Sequence, residues 1–124
     1  MDKINFGELF AKFDDHWNPR IAAELNGQHV KVAKIHGEFD WHHHESEDEL
    51  FLVHRCEMEL QWRDEQGVEH SVTLGPSECF VMPRGVSHRP IAREEVELIL
   101  FEPASTLNTG DVENDRTRRE LERL

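Results

Sequence analysis

Pro83-Arg84-Gly85-Val86-Ser87-His88 spells P-x-G-x-x-H, a pattern that this composition would produce by chance only about 0.02 times per chain. Proline presets the backbone, glycine permits the positive φ of a tight turn, and the chain re-enters a strand in time to present His88. Upstream, His42 and His44 lie two residues apart in a stretch that reads as β. Their imidazoles therefore project from one face while His43 points the opposite way. An H-x-H pair alone says little, since nine histidines in 124 residues give about 0.6 chance pairs per chain. Glu49 follows within reach, with Glu45, Glu47 and Asp48 competing for the same role. If the strand carrying His88 neighbours the one carrying His42 and His44, three imidazoles and one carboxylate meet.

Working outward, the chain from about Gln28 to Glu102 is built of short stretches rich in Val, Ile, Phe, Leu and Trp, broken by Gly, Pro and charged turns. The spacing predicts strands near Val30–His36, Phe39–His43, Leu50–Val53, Glu57–Arg63, His70–Leu74, Cys79–Met82, Ser87–Ile91 and Val96–Phe101. Met58, Leu60 and Trp62 alternate with Glu57, Glu59 and Gln61, giving one dry and one wet face. Asp64, Glu65, Gln66 and Gly67 make a hairpin turn. Trp41, Phe39, Phe51, Phe80 and Met82 are expected to pack the barrel wall. Before this β region, Ile4, Phe6, Leu9, Phe10, Phe13 and Trp17 recur at mostly three- and four-residue intervals, which predicts an amphipathic helix over Ile4–Trp17. After Pro103 comes a polar loop and a charged tail, read as a short terminal helix with few apolar positions.

Twenty-six acidic against 14 basic residues give a formal charge of −12. Such a surface repels polyphosphate and anionic headgroups, so neither nucleic acid nor membrane is expected as a partner. No helix-turn-helix segment is recognisable either. Cys56 and Cys79 are far apart and form no C-x-x-C pair, so neither a disulfide framework nor a thiolate zinc site is signalled. Met1 to Asn5 lack the basic-then-apolar pattern of a secretory signal, and a cytoplasmic protein is expected. His16, His29, His36, His54 and His70 have polar neighbours and are read as surface residues.

On His42, His44, Glu49, Pro83, Gly85 and His88 the chain resembles the cupins, whose two motifs run G-x5-H-x-H-x3,4-E-x6-G and G-x5-P-x-G-x2-H-x3-N. Gly37 precedes the histidine pair by one residue less than the first motif asks. Cys56 stands where that motif ends in glycine, Ser77 where the second begins with it, and Ala92 where it ends in asparagine. These are turn or packing positions and not ligands. Gly37 to Val53, with Leu107-Asn108-Thr109-Gly110, also resembles a group of small single-domain bacterial cupins of unassigned activity.

The resemblance implies an all-β fold, the cupin double-stranded β-helix or jelly-roll barrel, with a short N-terminal amphipathic helix and a charged C-terminal helical tail. One domain over 1–124 is expected, with an N-terminal helical segment at 1–27, the β-barrel at 28–103 and the tail at 104–124. It implies His42, His44, Glu49 and His88 as ligands of one divalent metal ion, and imidazole with carboxylate suits Fe, Mn, Zn, Ni, Co or Cu. A mononuclear metalloenzyme acting on a small organic molecule is expected, dioxygenase-, isomerase- or lyase-like. No second catalytic set in the sequence selects among these reactions. The alternative is a non-catalytic small-ligand-binding or sensing module, and a third role for the ion is stapling the barrel. A cysteine joined covalently to tyrosine is excluded, because the chain has no tyrosine. A homodimer is expected, since open sheet edges need cover.

Overall fold

The computed structural model describes residues 2–124. One short helix, α1 (Phe6–Phe10), precedes seven strands: β1 (Arg20–Leu25), β2 (Gln28–Glu38), β3 (Glu49–Arg55), β4 (Met58–Arg63), β5 (Glu69–Leu74), β6 (Cys79–Met82) and β7 (His88–Pro103). All pairings are antiparallel, in the order β1-β2-β7-β3-β6, with β4 joining β7 to β5.

Strand β7 organises the sheet. It pairs with β2 along most of its length, with β3 through Glu97–Phe101, and with β4 through His88–Ile91. Its sequence explains why: Val96, Leu98 and Ile99 are buried toward one side or the other, so the strand is covered on both faces. The expected strands Ser87–Ile91 and Val96–Phe101 are thus two halves of one strand. The apparent break, Arg93-Glu94-Glu95, is an irregularity: Ile35 pairs with Val96 but Gly37 with Ala92, so extra residues bend β7 without ending it.

Inside the barrel, alternate residues of β2, β3, β4 and β7 build the main core, in which Phe51, Val53, Met58, Leu60, Val96 and Leu98 are buried. Each such side chain contributes about 1.5–3 kcal/mol relative to exposure. The opposite face of the sheet buries Phe10, Val32 and Ile99 beneath the N-terminal segment. The hairpin turn forms as the sequence suggests, with Asp64 Oδ1 accepting from the backbone of Gln66 and Val68, each at 2.9 Å.

The helical expectations need correction at both ends. Only five residues of Ile4–Trp17 are helical, capped by the Asn5 side chain, which accepts from Glu8 N at 3.0 Å. Beyond them Asp15 is drawn to Arg20 at 2.6 Å, and Trp17 turns into a left-handed conformation (φ 58°) to stack on Phe39 at 4.7 Å. Apolar spacing that resembles a helix here serves an irregular strap whose aromatic rings plug the sheet. The segment 1–27 also contains β1, a strand absent from the sequence reading. Residues 104–124 hold turns and bends instead of a helix, and Ile21 clamps their end by main-chain bonds to Glu122 (2.9 Å) and Leu124 (3.0 Å). Among the described residues no helix is long and apolar enough to cross a membrane.

Two other departures bear on backbone energy. Cys56 (φ 66°) and Ser77 (φ 68°) adopt the left-handed conformation at the positions where the cupin motifs carry glycine. The turn geometry survives the loss of glycine, and the side chains carry a conformational cost of about 1–2 kcal/mol each. Part of that cost is offset by the entropy glycine would lose on folding. Ser77→Gly is therefore expected to stabilise the protein by about 0.5–1 kcal/mol, read as a rise in the urea midpoint at constant slope; an unchanged or lowered midpoint contradicts this account.

Candidate metal centre

Local main-chain geometry sets the first pair of candidate ligands. Phe39–His43, expected as a strand, is not a continuous one: Phe39 N donates to Pro90 O of β7 at 3.1 Å, and an isolated bridge joins His42 to His88. That bridge is made by two reciprocal bonds, His42 N to His88 O at 3.1 Å and His88 N to His42 O at 2.8 Å. Gly85, at φ 79°, donates its N–H to His44 O at 2.7 Å, so the turn before β7 is tied to the histidine stretch as well. Extended geometry then does what the sequence suggests: His42 and His44 are buried, and His43 turns outward to Asp111, Nδ1 to Oδ2 at 3.2 Å.

The side chains His42, His44, Glu49 and His88 are all buried, and one ligand atom from each lies within 4.8 Å of the others. Carbonyl oxygens only accept, so the Nδ1 atoms of His42 and His88 must donate, to Asp40 O and Val86 O, each at 2.8 Å. The lone pairs of these two rings therefore sit on Nε2. Glu49 Oε1 lies 2.9 Å from His44 Nε2 and 3.0 Å from His88 Nε2. The His44 contact is close but lacks hydrogen-bond geometry, which leaves that enclosed nitrogen without a partner. Three imidazole nitrogens and a carboxylate converging at this spacing, one of them orphaned, fit a divalent cation.

Electrostatics agree with that fit. Burial, reinforced by the neighbouring His88, pushes the His42 imidazole down to about 4, so this ring is neutral at physiological pH. For His44 burial acts in the same direction, yet the Glu49 carboxylate outweighs it and raises the pKa. Burial alone would protonate Glu49; contact with His44 and His88 instead holds it well below the usual carboxylate range.

A narrow cavity of about 50 Å³ opens beside His42 and Glu49. Its walls are mostly apolar and include Phe51, Leu98 and Leu100, but two charged residues also line it, Lys31 of β2 and Glu102 of β7. Each is 2% exposed, and Lys31 Nζ lies 3.4 Å from Glu102 Oε2. Burial, with the charge of Glu49 adding to it, pushes the Glu102 carboxyl up to about 8 against the pull of Lys31. The sequence reading missed both residues. A signal was present: Lys31 is in phase with Ala33 and Ile35, and Glu102 with Leu98 and Leu100, so each charge sits on an inward-facing register.

Other candidates fall outside the centre. Glu45 is exposed, Asp48 pairs with Arg84 at 3.2 Å on the surface, and Glu47 accepts from Ser105 at 2.8 Å. Trp41, expected in the barrel wall, is half-buried with the guanidinium of Arg63 3.8 Å from its ring centroid. His29, expected at the surface, is buried against Glu24 at 2.7 Å.

The C-terminal segment buttresses the candidate ligands. His43 N donates to Asp111 Oδ1 at 2.9 Å, Asp111 N donates to His43 O at 3.1 Å, and Asn114 Nδ2 donates to Asp40 Oδ2 at 2.9 Å. Gly110 sits where a Cβ would collide with the carbonyl oxygen of His43 and crowd the His42 ring. Both groups belong to the stretch bridged to β7 at His42, so the C-terminal segment would have to move. Gly110→Ala is expected to destabilise the protein by more than about 1 kcal/mol and to lower metal retention. A thermal melt and elemental analysis of the variant check this; wild-type values in both would show that the C-terminal segment does not brace the centre.

The cupin domain family model matches residues 28–102, more than half of the chain. A Bacillus subtilis (strain 168) protein, Uncharacterized protein YdbB, is 34% identical over 76 residues, 61% of this chain and 63% of that protein; the chain thus spans less than two thirds of this relative. A crystal structure of a cupin-2 domain containing protein from Shewanella frigidimarina superposes with a TM-score of 0.75 at 40% identity, covering 81% of this chain and 93% of that one. Hydroquinone 1,2-dioxygenase from Sphingomonas sp. TTNP3, solved with 4-nitrophenol, superposes at 0.74 with 19% identity, over 84% of this chain and 33% of that one, a likeness of fold alone. The family match, the sheet order and the buried His/Glu cluster agree, and the chain belongs to the cupin domain family.

Proposed function

We propose that the protein is a mononuclear metal-binding cupin acting on a small organic molecule, with His42, His44, Glu49 and His88 as the ligands of one divalent ion. The observation that carries this reading is the convergence of four buried donors on one point, with the enclosed His44 Nε2 lacking any other partner. Burying three imidazoles and a carboxylate without a cation costs several kcal/mol. Four protein ligands leave coordination positions open on a five- or six-coordinate ion, and when bound it supplies Lewis acidity to a ligand oxygen.

The cavity beside the centre limits what reaches it. A benzene-sized guest occupies a cavity of about 150 Å³, three times the 50 Å³ found here. The favoured substrate is thus smaller than the phenol held by the Sphingomonas dioxygenase. The apolar wall excludes water, while Lys31 and Glu102 supply the polar contacts.

Protein purified without chelator is expected to carry about one equivalent of a transition metal, and His88→Ala or Glu49→Gln to reduce this at least tenfold. At a hundredfold excess over Kd the ion adds about 2.7 kcal/mol of stability, visible as a fall in Tm on chelation. In the metal-free site the Glu49 carboxylate raises the His44 pKa above its ordinary value, so a proton competes with the ion at this ring. Uptake must displace it, so affinity rises with pH until His44 is neutral, and calorimetric heats vary with buffer ionisation enthalpy. Less than about a tenth of an equivalent, with no uptake on titration, overturns the reading.

A homodimer also forms part of this proposal. Among the described residues strand β6 pairs only with β3, and exposed Val81 and Cys79 lie on this free edge. Such an edge invites pairing with a second copy. Light scattering is expected to give twice the chain mass, and a monomer at micromolar concentration removes this part.

A further inference from the structure

The buried Lys31–Glu102 pair is the feature of the barrel that neither the core nor the four ligands explain. Replacing a buried ion pair by apolar side chains of similar volume is often neutral or stabilising, so folding alone does not account for it. Its place is specific: both residues line the cavity that His42 and Glu49 also line, and both are 2% exposed. The ammonium has three donors. Two are used at long range, toward Glu102 Oε2 at 3.4 Å and the Thr106 carbonyl at 3.3 Å, near the outer limit for a hydrogen bond. Among the described residues nothing accepts from the third.

Charge gives a second argument. With neutral imidazoles, a divalent ion and Lys31 against Glu49 and Glu102 leave one positive charge in a largely apolar enclosure, and more if Glu102 keeps its proton. A net charge in such a place is costly, and a bound anion removes it.

We infer that Lys31, braced by Glu102, is the anion-binding residue of the cavity and takes the carboxylate of a small aliphatic organic acid that sits beside the metal centre. This rests on the reading of the centre given above. It makes Lys31 a determinant of specificity: a neutral amide of the same shape loses the charge-assisted bond, and an aromatic acid exceeds the space.

The test uses full-length protein loaded with Co(II), with acetate, acetamide and benzoate as probes, read by calorimetry and by the visible Co(II) spectrum. Acetate is expected to bind at least tenfold tighter than acetamide or benzoate. Lys31→Met is expected to bind Co(II) within threefold of wild type while acetate weakens at least tenfold, and Lys31→Arg to retain the preference for acetate. Equal binding of acetate and acetamide by the wild type, or unchanged acetate affinity in a folded Lys31→Met, overturns the inference. Should Lys31→Met fail to fold, the wild-type comparison of acetate with acetamide decides alone. A wild type that takes up no Co(II) ends the reading of the metal centre, and this one with it, whereas Co(II) uptake without acetate preference ends this one only.

Discussion

Two main-chain hydrogen bonds between His42 and His88, at 3.1 and 2.8 Å, join parts of the chain that are 46 positions apart and on which the centre depends. Together with Phe39 N, which donates to Pro90 O at 3.1 Å, they hold Phe39–His44 along β7 although this stretch belongs to none of the seven strands. With them, the alternation of an extended chain directs His42 and His44 inward, and β3 brings Glu49 to the same point from the other side. The bridge is short, so its surroundings hold it: the Gly85 turn from below, and the Asp111–His43 and Asn114–Asp40 contacts from outside.

The interior of this barrel is an electrostatic compromise. A small domain normally fills such a space with Leu, Ile, Val and Phe, and Val53, Met58, Leu60 and Val96 fill part of this one. The interior also buries three imidazoles, two carboxylates and an ammonium. Their shifts disclose how they are balanced: His42 is kept neutral by burial, His44 is drawn toward its charged form by Glu49, and Glu102 is driven toward its neutral form. A polar interior of this kind is costly to fold, and function is the usual reason for retaining one.

Both chain ends act as braces. The N-terminal aromatic residues pack on two sides: Phe10 is buried with Val32 and Ile99 and Phe13 lies beneath Arg20 at 4.3 Å, whereas Trp17 stacks on Phe39 at 4.7 Å and lines the cavity. The C-terminal segment crosses the ligand-bearing stretch and is locked by Thr109, buried and 2.8 Å from the Thr117 hydroxyl. Rigid support of this kind holds the candidate ligand side chains in place without demanding a larger core.

What the residues alone determined was the local content: strand periodicity from Gln28 to Glu102, the tight turn of Pro83-Arg84-Gly85, and the inward phase of His42 and His44. Those follow from the two-residue repeat of an extended chain and from the conformations open to proline and glycine, which act within a few residues. Tertiary structure decided the rest. Phe6 to Trp17 carries a helical spacing, yet contacts with Arg20, Lys34 and Phe39 draw its latter half into an irregular strap. The unity of β7 across Arg93-Glu94-Glu95 depends on pairing with β2, and the role of the tail depends on what it lies against. Lys31 and Glu102 look like ordinary strand charges until the barrel closes around them, because burial is a property of the whole fold and not of a residue's neighbours in sequence.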